Sequence, residues 1–299
     1  MPSNRQRREA AERHLRRQLQ RRQEAAAKRR RRAAIGGSVA AVVVVVVVVL
    51  LLTTGVFGGG SSKKAVAVPS KPTATATASA KPTATPSPFA TRTFAKATRA
   101  VRKTSGPCGY AETTQSLKSP YTKDVGLPPD PRPTPDSGTV AVSLSTSDGP
   151  MTLSLDRAKA PCAVQSFLYL VKKGLYDGST CPRVTTTGIY VLQCGDPSNS
   201  QQGGPTYDFK QETTKTTDYS PGVVAMANTG QPNSTGSQFF IIYKNSNTGL
   251  QKSYSVVGTV SKGLAAVTKV AKAGAAGGQS AGDGKPVLGM TITTATTAG

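Results

Sequence analysis

The chain has 299 residues and a formal net charge of +23, from 38 Lys and Arg against 15 Asp and Glu. Its one histidine, His14, lies in a basic N-terminal segment, so the C-terminal half cannot form a Ser-His-Asp or Cys-His catalytic site. The four cysteines lack the C-x-x-C spacing of zinc sites, and the sequence indicates no metal or organic cofactor.

Residues 1–32 form a basic tail with 13 basic and 3 acidic side chains. The tail has almost no large apolar side chains, so a helix here has no apolar face to bury. Because it ends directly before an apolar segment, we interpret it as a cytoplasmic topology signal that touches anionic lipid headgroups. A nucleic-acid-binding arm is the alternative for such a tail, but we expect no nucleic-acid partner.

Residues 33–57 carry no charge and include eight consecutive valines. Roughly 20 apolar residues cross a bilayer, and an isolated span in lipid has to be helical, so this segment is predicted to be a single transmembrane helix. Nine Lys and Arg lie in residues 15–32 and three in residues 58–75, which places the N-terminus in the cytoplasm and residues 58 onward outside it. A signal peptide cleaved near Ala65-Val66-Ala67 is the alternative to this cell-membrane anchor.

Residues 58–105 are rich in Pro, Thr, Ala and Lys and are predicted to be a disordered linker. Residues 106–137 are also Pro-rich but contain larger apolar side chains. We expect this Pro-rich arm to pack on the domain that follows it.

All four cysteines, at positions 108, 162, 181 and 194, follow the predicted span. An even number outside the cytoplasm favours disulfides. Three pairings are possible, and any bond from Cys108 to the domain pins the arm to it. Buried free thiols are the alternative.

Residues 138–299 are predicted to be the folded domain. Thr139–Ser145 and Met151–Leu155 alternate apolar and polar residues around a Ser147-Asp148-Gly149 turn, which predicts a hairpin. Pro161 opens a helical pattern that Gly174 closes. Further strands are predicted at Ile189–Gln193, Gly222–Ala227, Gln238–Tyr243, Ser255–Val260 and Val287–Thr294, and a short helix near Gly263–Ala273. The pattern favours a mostly β fold, a closed barrel with helical caps.

Three stretches of this domain resemble the cyclophilin peptidyl-prolyl isomerases. They are Tyr176–Val184 (YDGSTCPRV), Val191–Pro197 (VLQCGDP), and the pair Met226–Gly230 (MANTG) and Gly236–Ile241 (GSQFFI). Their order and spacing match the family over residues 138–299, apart from two extra residues in Thr185–Gly188 and one near Gln231. The resemblance implies a closed eight-stranded antiparallel β-barrel capped by two α-helices.

The resemblance also implies the site. Residues expected to act in catalysis are Arg183, Gln193, Asn228 and Phe240, and those expected to bind substrate are Tyr190, Val191, Ala227, Gln238, Leu250 and Tyr254. The reaction is rotation about an X-Pro amide, whose resonance barrier is roughly 18–20 kcal/mol. Because no bond is permanently broken, a donor aimed at the twisted amide beside a proline pocket is enough, and histidine is not needed.

Three positions depart from the family pattern. Gly249 stands where many members have tryptophan, Tyr254 where many have histidine, and Pro182 where histidine is frequent. Loss of the indole is expected to weaken cyclosporin-type inhibitors. The expected function is therefore a membrane-anchored, monomeric isomerase for proline-containing extracytoplasmic polypeptides. The alternative is a catalytically weak module that binds proline-containing peptides at the cell surface.

Overall fold

The computed structural model describes residues 90–214 and 217–297. The basic tail, the predicted span at residues 33–57, the cleavage motif and the linker up to residue 89 lie outside the described residues. Within the described ranges, every helix is too short or too polar to cross a bilayer.

Fifteen strands and three helices make up the described part. The strands are β1 (Ala111–Glu112), β2 (Thr122–Lys123), β3 (Thr139–Thr146), β4 (Met151–Asp156), β5 (Ser179–Thr180), β6 (Arg183–Thr185), β7 (Val191–Cys194), β8 (Gly204–Pro205), β9 (Tyr207–Asp208), β10 (Val223–Met226), β11 (Phe239–Ile242), β12 (Val256–Lys262), β13 (Ala275–Ser280), β14 (Asp283–Pro286) and β15 (Thr291–Thr297). The helices are α1 (Thr114–Lys118), α2 (Pro161–Lys172) and α3 (Leu264–Lys272). The mostly β class with few helices is as expected.

The main sheet corrects the prediction of a closed eight-stranded barrel. It has eleven strands in the order β13-β14-β6-β7-β11-β10-β12-β4-β3-β15-β5, and no continuous ladder joins its described ends. The sheet therefore ends at β13 on one side and at β5 on the other. One isolated bridge joins Thr180 of β5 to Asp196, which follows β7.

The hairpin of β13 and β14 adds two strands at one end of the sheet and pairs with β6 through Asp283–Thr185 and Gly284–Val184. Its Ala/Gly-rich sequence has no alternating pattern, so it gave no strand signal. The last strand begins at Thr291, four residues later than predicted, and the β13–β14 hairpin precedes it.

Helix α2 begins at Pro161, as predicted, but its N-terminus is capped from a distant loop. Ala160 has no side-chain oxygen to cap the first turn. Instead the Glu212 carboxylate accepts from the amides of Cys162 at 3.1 Å and Ala163 at 2.8 Å. Burial raises the pKa of Glu212, and these two hydrogen bonds oppose that rise. The contact fixes the loop after β9 to the helix.

The core lies between α2 and the sheet. Phe167 is fully buried, and its ring centroid is 4.9 Å from that of Tyr176 and 5.2 Å from that of Phe239. On β4, Met151, Leu153 and Leu155 point inward while the residues between them are half-buried. The period-2 pattern seen in the sequence therefore faces this core.

Residues 90–137 form a strap that runs over the domain surface. The Cys108–Cys162 disulfide joins the strap to α2, and the buried Tyr110 hydroxyl donates to the Cys162 carbonyl at 2.7 Å. A second disulfide joins Cys181 and Cys194, and the described chain contains no free cysteine. Disulfides are thus confirmed over free thiols, with the pairing now assigned.

The start of the strap differs from the predicted disordered linker. The amide of Arg92 donates to the Ser198 carbonyl at 2.8 Å, and that of Phe94 to the Pro120 carbonyl at 2.8 Å. The composition of residues 90–105 is that of a linker. The prediction missed these backbone contacts because the partners are distant in sequence.

Candidate functional site

Three of the predicted residues lie in one row across the sheet. In the ladders, Arg183 of β6 stands opposite Gln193 of β7, Gln193 opposite Phe240 of β11, and Phe240 opposite Ala225 of β10. Residues directly opposite one another project from the same face. The register therefore brings the guanidinium, the amide and the aromatic ring to one side of the sheet.

The Arg183 side chain is held by two partners. Its Nε and Nη2 donate to the two carboxylate oxygens of Asp283, each at 2.8 Å, and its Nη1 donates to Gln193 Oε1 at 3.0 Å. The hydrogen bond to Asp283 raises the pKa of Arg183 and lowers that of Asp283, although partial burial opposes both shifts. Bidentate pairs of this kind fix the guanidinium plane as well as its position.

Gln193 also holds the side chain of Gln238 in place. Its Nε2 donates to Gln238 Oε1 at 2.7 Å, and Gln238 Nε2 donates to the Gly203 carbonyl at 2.9 Å. The amide oxygen of Gln193 accepts from Arg183, so both ends of this side chain are engaged. The result is a continuous polar rail from Asp283 to the loop at Gly203.

An apolar cluster lies beside the row. Its buried members are Val191, Tyr219, Val223, Ala225, Phe240 and Ile242, and Ile189, Ala227, Leu250, Tyr254 and Val256 pack against them half-buried. The Tyr254 ring meets Phe240 edge-on, with centroids 5.2 Å apart and planes at 87°. The cluster is separate from the main core under α2, and its half-buried members leave part of its apolar surface open to solvent.

Asn228 lies at the rim of this cluster and orders the chain there. Its Nδ2 donates to the Ser253 carbonyl at 2.9 Å, and its Oδ1 accepts from the Gly230 amide at 2.9 Å. The amide of the preceding residue, Ala227, donates to the Gln238 carbonyl at 2.8 Å. The predicted pair Ala227 and Asn228 therefore lies next to Gln238.

Tyr190 is a predicted substrate-binding residue whose ring packs outside the cluster. Its ring lies edge-on to Tyr243, with centroids 6.0 Å apart, and Lys244 Nζ lies 4.4 Å from its centroid. It immediately precedes Val191, which belongs to the cluster, and successive strand residues face opposite ways.

The glycine at position 249 has a steric explanation. A Cβ there would lie 2.5 Å from the Gly188 carbonyl oxygen and 2.9 Å from Ile189 Cγ2. The longer Thr185–Gly188 loop thus occupies the space into which a side chain at position 249 would extend. A tryptophan at position 249 would therefore collide with this loop.

Asp283 was not predicted as a site residue. It lies in Gly282-Asp283-Gly284, a stretch typical of a turn, and it reaches Arg183 only because the β13–β14 hairpin pairs with β6. No sequence signal connects a carboxylate to an arginine 100 residues away. Among the described residues, no cluster of three or more His, Cys, Asp or Glu is placed to hold a metal ion.

The C-terminal part of the chain is similar to known proteins. Residues 141–297 match the family model described as "Cyclophilin type peptidyl-prolyl cis-trans isomerase/CLD". The chain is 40% identical over 185 residues to the "Probable peptidyl-prolyl cis-trans isomerase B" of Mycobacterium tuberculosis and 41% identical over 172 residues to the protein of the same name in Mycobacterium leprae. These matches cover 57% and 52% of this chain, but only 58% and 56% of the mycobacterial proteins.

A solved structure is also similar. The crystal structure of a Cryptosporidium parvum cyclophilin type peptidyl-prolyl cis-trans isomerase aligns with a TM-score of 0.46 at 25% identity. The alignment covers 54% of this chain and 99% of that one.

Proposed function

Because this chain belongs to the cyclophilin type peptidyl-prolyl cis-trans isomerase family, we propose that it catalyses cis-trans isomerisation of X-Pro bonds in polypeptides. The observation that carries the proposal is the row of Arg183, Gln193 and Phe240 on one sheet face beside an apolar cluster. A donor and an apolar surface are the two elements that rotation about a prolyl amide requires.

The hydrogen bonds of Arg183 leave donors for a substrate. A guanidinium carries five N–H groups, and the contacts to Asp283 and Gln193 use three of them. The remaining two N–H groups belong to Nη1 and Nη2, one on each nitrogen. When the X-Pro amide twists, it loses resonance and its nitrogen becomes a better acceptor, so a fixed donor there stabilises the twisted state more than the planar one.

The apolar cluster supplies the grip on the proline ring. Phe240 forms its buried floor, and Leu250 and Tyr254 are half-buried beside it. Burying apolar surface contributes about 25 cal/mol per Å², which holds the ring while the other side of the amide rotates.

The test is a proline-limited isomerisation assay on the full-length chain in detergent micelles, with Arg183→Ala as the variant. We expect the wild type to accelerate the reaction and the variant to lose about 10²-fold in kcat/KM, the usual effect of removing a transition-state donor. Arg157→Ala, which removes a domain arginine outside the row, is the matched control and is expected to keep activity. A wild-type rate equal to that of buffer refutes the proposal.

One observation favours the second candidate function, a module that binds proline-containing peptides with little turnover. Asp283 neutralises the guanidinium charge and occupies its Nε edge, which reduces the field at the substrate amide. This second function would be established if wild type and Arg183→Ala both bind proline-containing peptides and neither accelerates their isomerisation.

We also propose that the chain acts as a monomer outside the cytoplasm, held to the membrane by residues 33–57. Support comes from the uncharged sequence of that segment and from two disulfides in the described part, since such bonds persist in oxidising compartments. Carbonate-washed membranes should retain the chain, and protease added to intact spheroplasts should digest its domain. Release by carbonate, or full protection from protease, contradicts the location.

A further inference from the structure

A pocket of about 490 Å³ adjoins the candidate site. Gln193, Gln238 and Ala227 line it, and the same residues border the polar rail and the apolar cluster. A peptide whose proline lies over Phe240 therefore passes the mouth of this pocket within a few residues, since an extended chain advances at most about 3.3–3.6 Å per residue.

One wall of the pocket comes from the strap, which precedes the family-matched residues 141–297. Thr113, Gln115 and Ser119 of the strap face the loop around Gly204 across the pocket. The wall is fixed because β1 pairs with β9 and β2 with β8. The strap thus shapes a binding surface that the family domain alone would leave open.

Asp208 is the charged side chain among the residues that line the pocket. Within the described residues its carboxylate has no hydrogen-bond or ion-pair partner. Gly236 lies beside it without a side chain, and a Cβ there would lie 3.4 Å from Asp208 Oδ1. Burial raises the pKa of Asp208 to about 6, so at neutral pH most of this half-buried carboxylate is ionised, with no counter-ion among the described residues.

Resting on the proposed isomerase function, we propose that this strap-walled pocket binds a lysine or arginine side chain of the substrate, near its proline, with Asp208 as the counter-ion. The remaining lining is chiefly Ser, Thr, Gln, Asn and Gly, which suits a long polar side chain. A cation inside a partly desolvated pocket gains more from a carboxylate than one in bulk water, because the local dielectric is lower. An acidic side chain at the same place meets repulsion.

The experiment compares peptides that carry one lysine, alanine or glutamate at each of three positions on either side of a single proline. For the full-length chain, kcat/KM is measured in the isomerisation assay, and Kd is measured by fluorescence anisotropy. We expect a lysine preference over alanine of about tenfold at one of these positions. Asp208→Asn should abolish it while leaving the alanine peptide unchanged.

Two further variants test the location and the wall. Asp136→Asn removes an exposed carboxylate outside the pocket and should leave the preference unchanged. Gln115→Glu places a second carboxylate on the strap wall and should increase the lysine preference, which a structural effect of position 208 would not predict.

The outcomes separate this inference from the proposed function. Equal kcat/KM and Kd for all peptides, or a lysine preference that survives Asp208→Asn, overturns the inference while isomerase activity stands. A lysine preference in Kd that Asp208→Asn removes, with no acceleration of any peptide, supports the pocket and refutes the isomerase. A chain that binds no peptide refutes both.

Discussion

The family-matched domain and the strap before it are held in place by different interactions. The domain buries a large apolar core, in which Phe167 packs on Tyr176 and Phe239. The strap contributes few core residues and depends on a disulfide and a charge cluster, where the buried Glu112 carboxylate accepts from Arg99 and Arg102. A segment with little apolar surface to bury can still be fixed when specific bonds offset its chain entropy.

We expect a substitution in the core to destabilise both regions, whereas a substitution in the strap should destabilise the strap alone. Phe167→Ala leaves a cavity where a fully buried ring contacts two others, so we expect a loss of about 3–5 kcal/mol in the free energy of unfolding. Urea denaturation followed by tyrosine fluorescence measures it. Because the strap is bonded to α2, one transition should release both regions, and two separated transitions would contradict this coupling.

Replacing both Cys108 and Cys162 by serine should release the strap but not the active face. The disulfide spans 54 residues, and removing such a link lowers the free energy of unfolding by about 2–4 kcal/mol. Limited proteolysis should then cut within residues 90–137 while isomerase activity on an alanine peptide persists, because the candidate site lies on β6, β7 and β11. Loss of that activity would show that the strap supports catalysis directly.

Glu112→Gln tests the charge cluster alone. We expect it to lower the free energy of unfolding by about 1–3 kcal/mol. Burial raises the pKa of Glu112, but hydrogen bonds from Arg102 and Arg99 outweigh it and hold the pKa below its usual 4.5. The stabilisation is therefore complete above about pH 4.5 and is lost as the pH falls through the lower folded value. Hydrogen exchange of the strap should accelerate at such acid pH in the wild type and already at pH 7 in the variant.

Asp283→Asn should have the smallest effect on stability and a clear effect on rate. The Arg183–Asp283 pair is about one-third exposed, and pairs of this kind contribute about 1 kcal/mol or less. Because Asp283 positions Arg183, we expect Asp283→Asn to lower kcat about tenfold and to leave KM unchanged.

The controls for this variant are Asp283→Glu, which should recover part of the rate, and Asp156→Asn, which removes a carboxylate elsewhere and should change nothing. An equal rise in KM, or a Tm loss that accounts for the rate, would show that Asp283 has a structural role only.

Much of the fold could be predicted, because strong local patterns report burial. The alternation in β3 and β4 and the proline that opens α2 gave their positions to within a residue or two. The β13–β14 hairpin could not be predicted, since its Ala/Gly-rich strands have no periodic pattern and depend on pairing with β6. The open ends of the sheet, at β13 and β5, likewise depend on pairing between segments that are distant in sequence.

Part of the site could also be predicted. The resemblance supplied Arg183, Gln193 and Phe240, and the strand register brings them to one face. It also supplied Tyr190, which packs on Tyr243 instead. The same resemblance could not supply Asp283 or the strap residues that wall the pocket at Asp208, because they come from outside the motifs that carry it.

By itself, the sequence determined the exclusion of histidine chemistry, the order of the main elements and the residue types available to the site, since these follow from composition and local periodicity. Tertiary structure alone decided the partner of Arg183, the pairing of the four cysteines and the placement of the strap. Each of these joins positions far apart along the chain, and contacts over such separations are set by how whole elements pack.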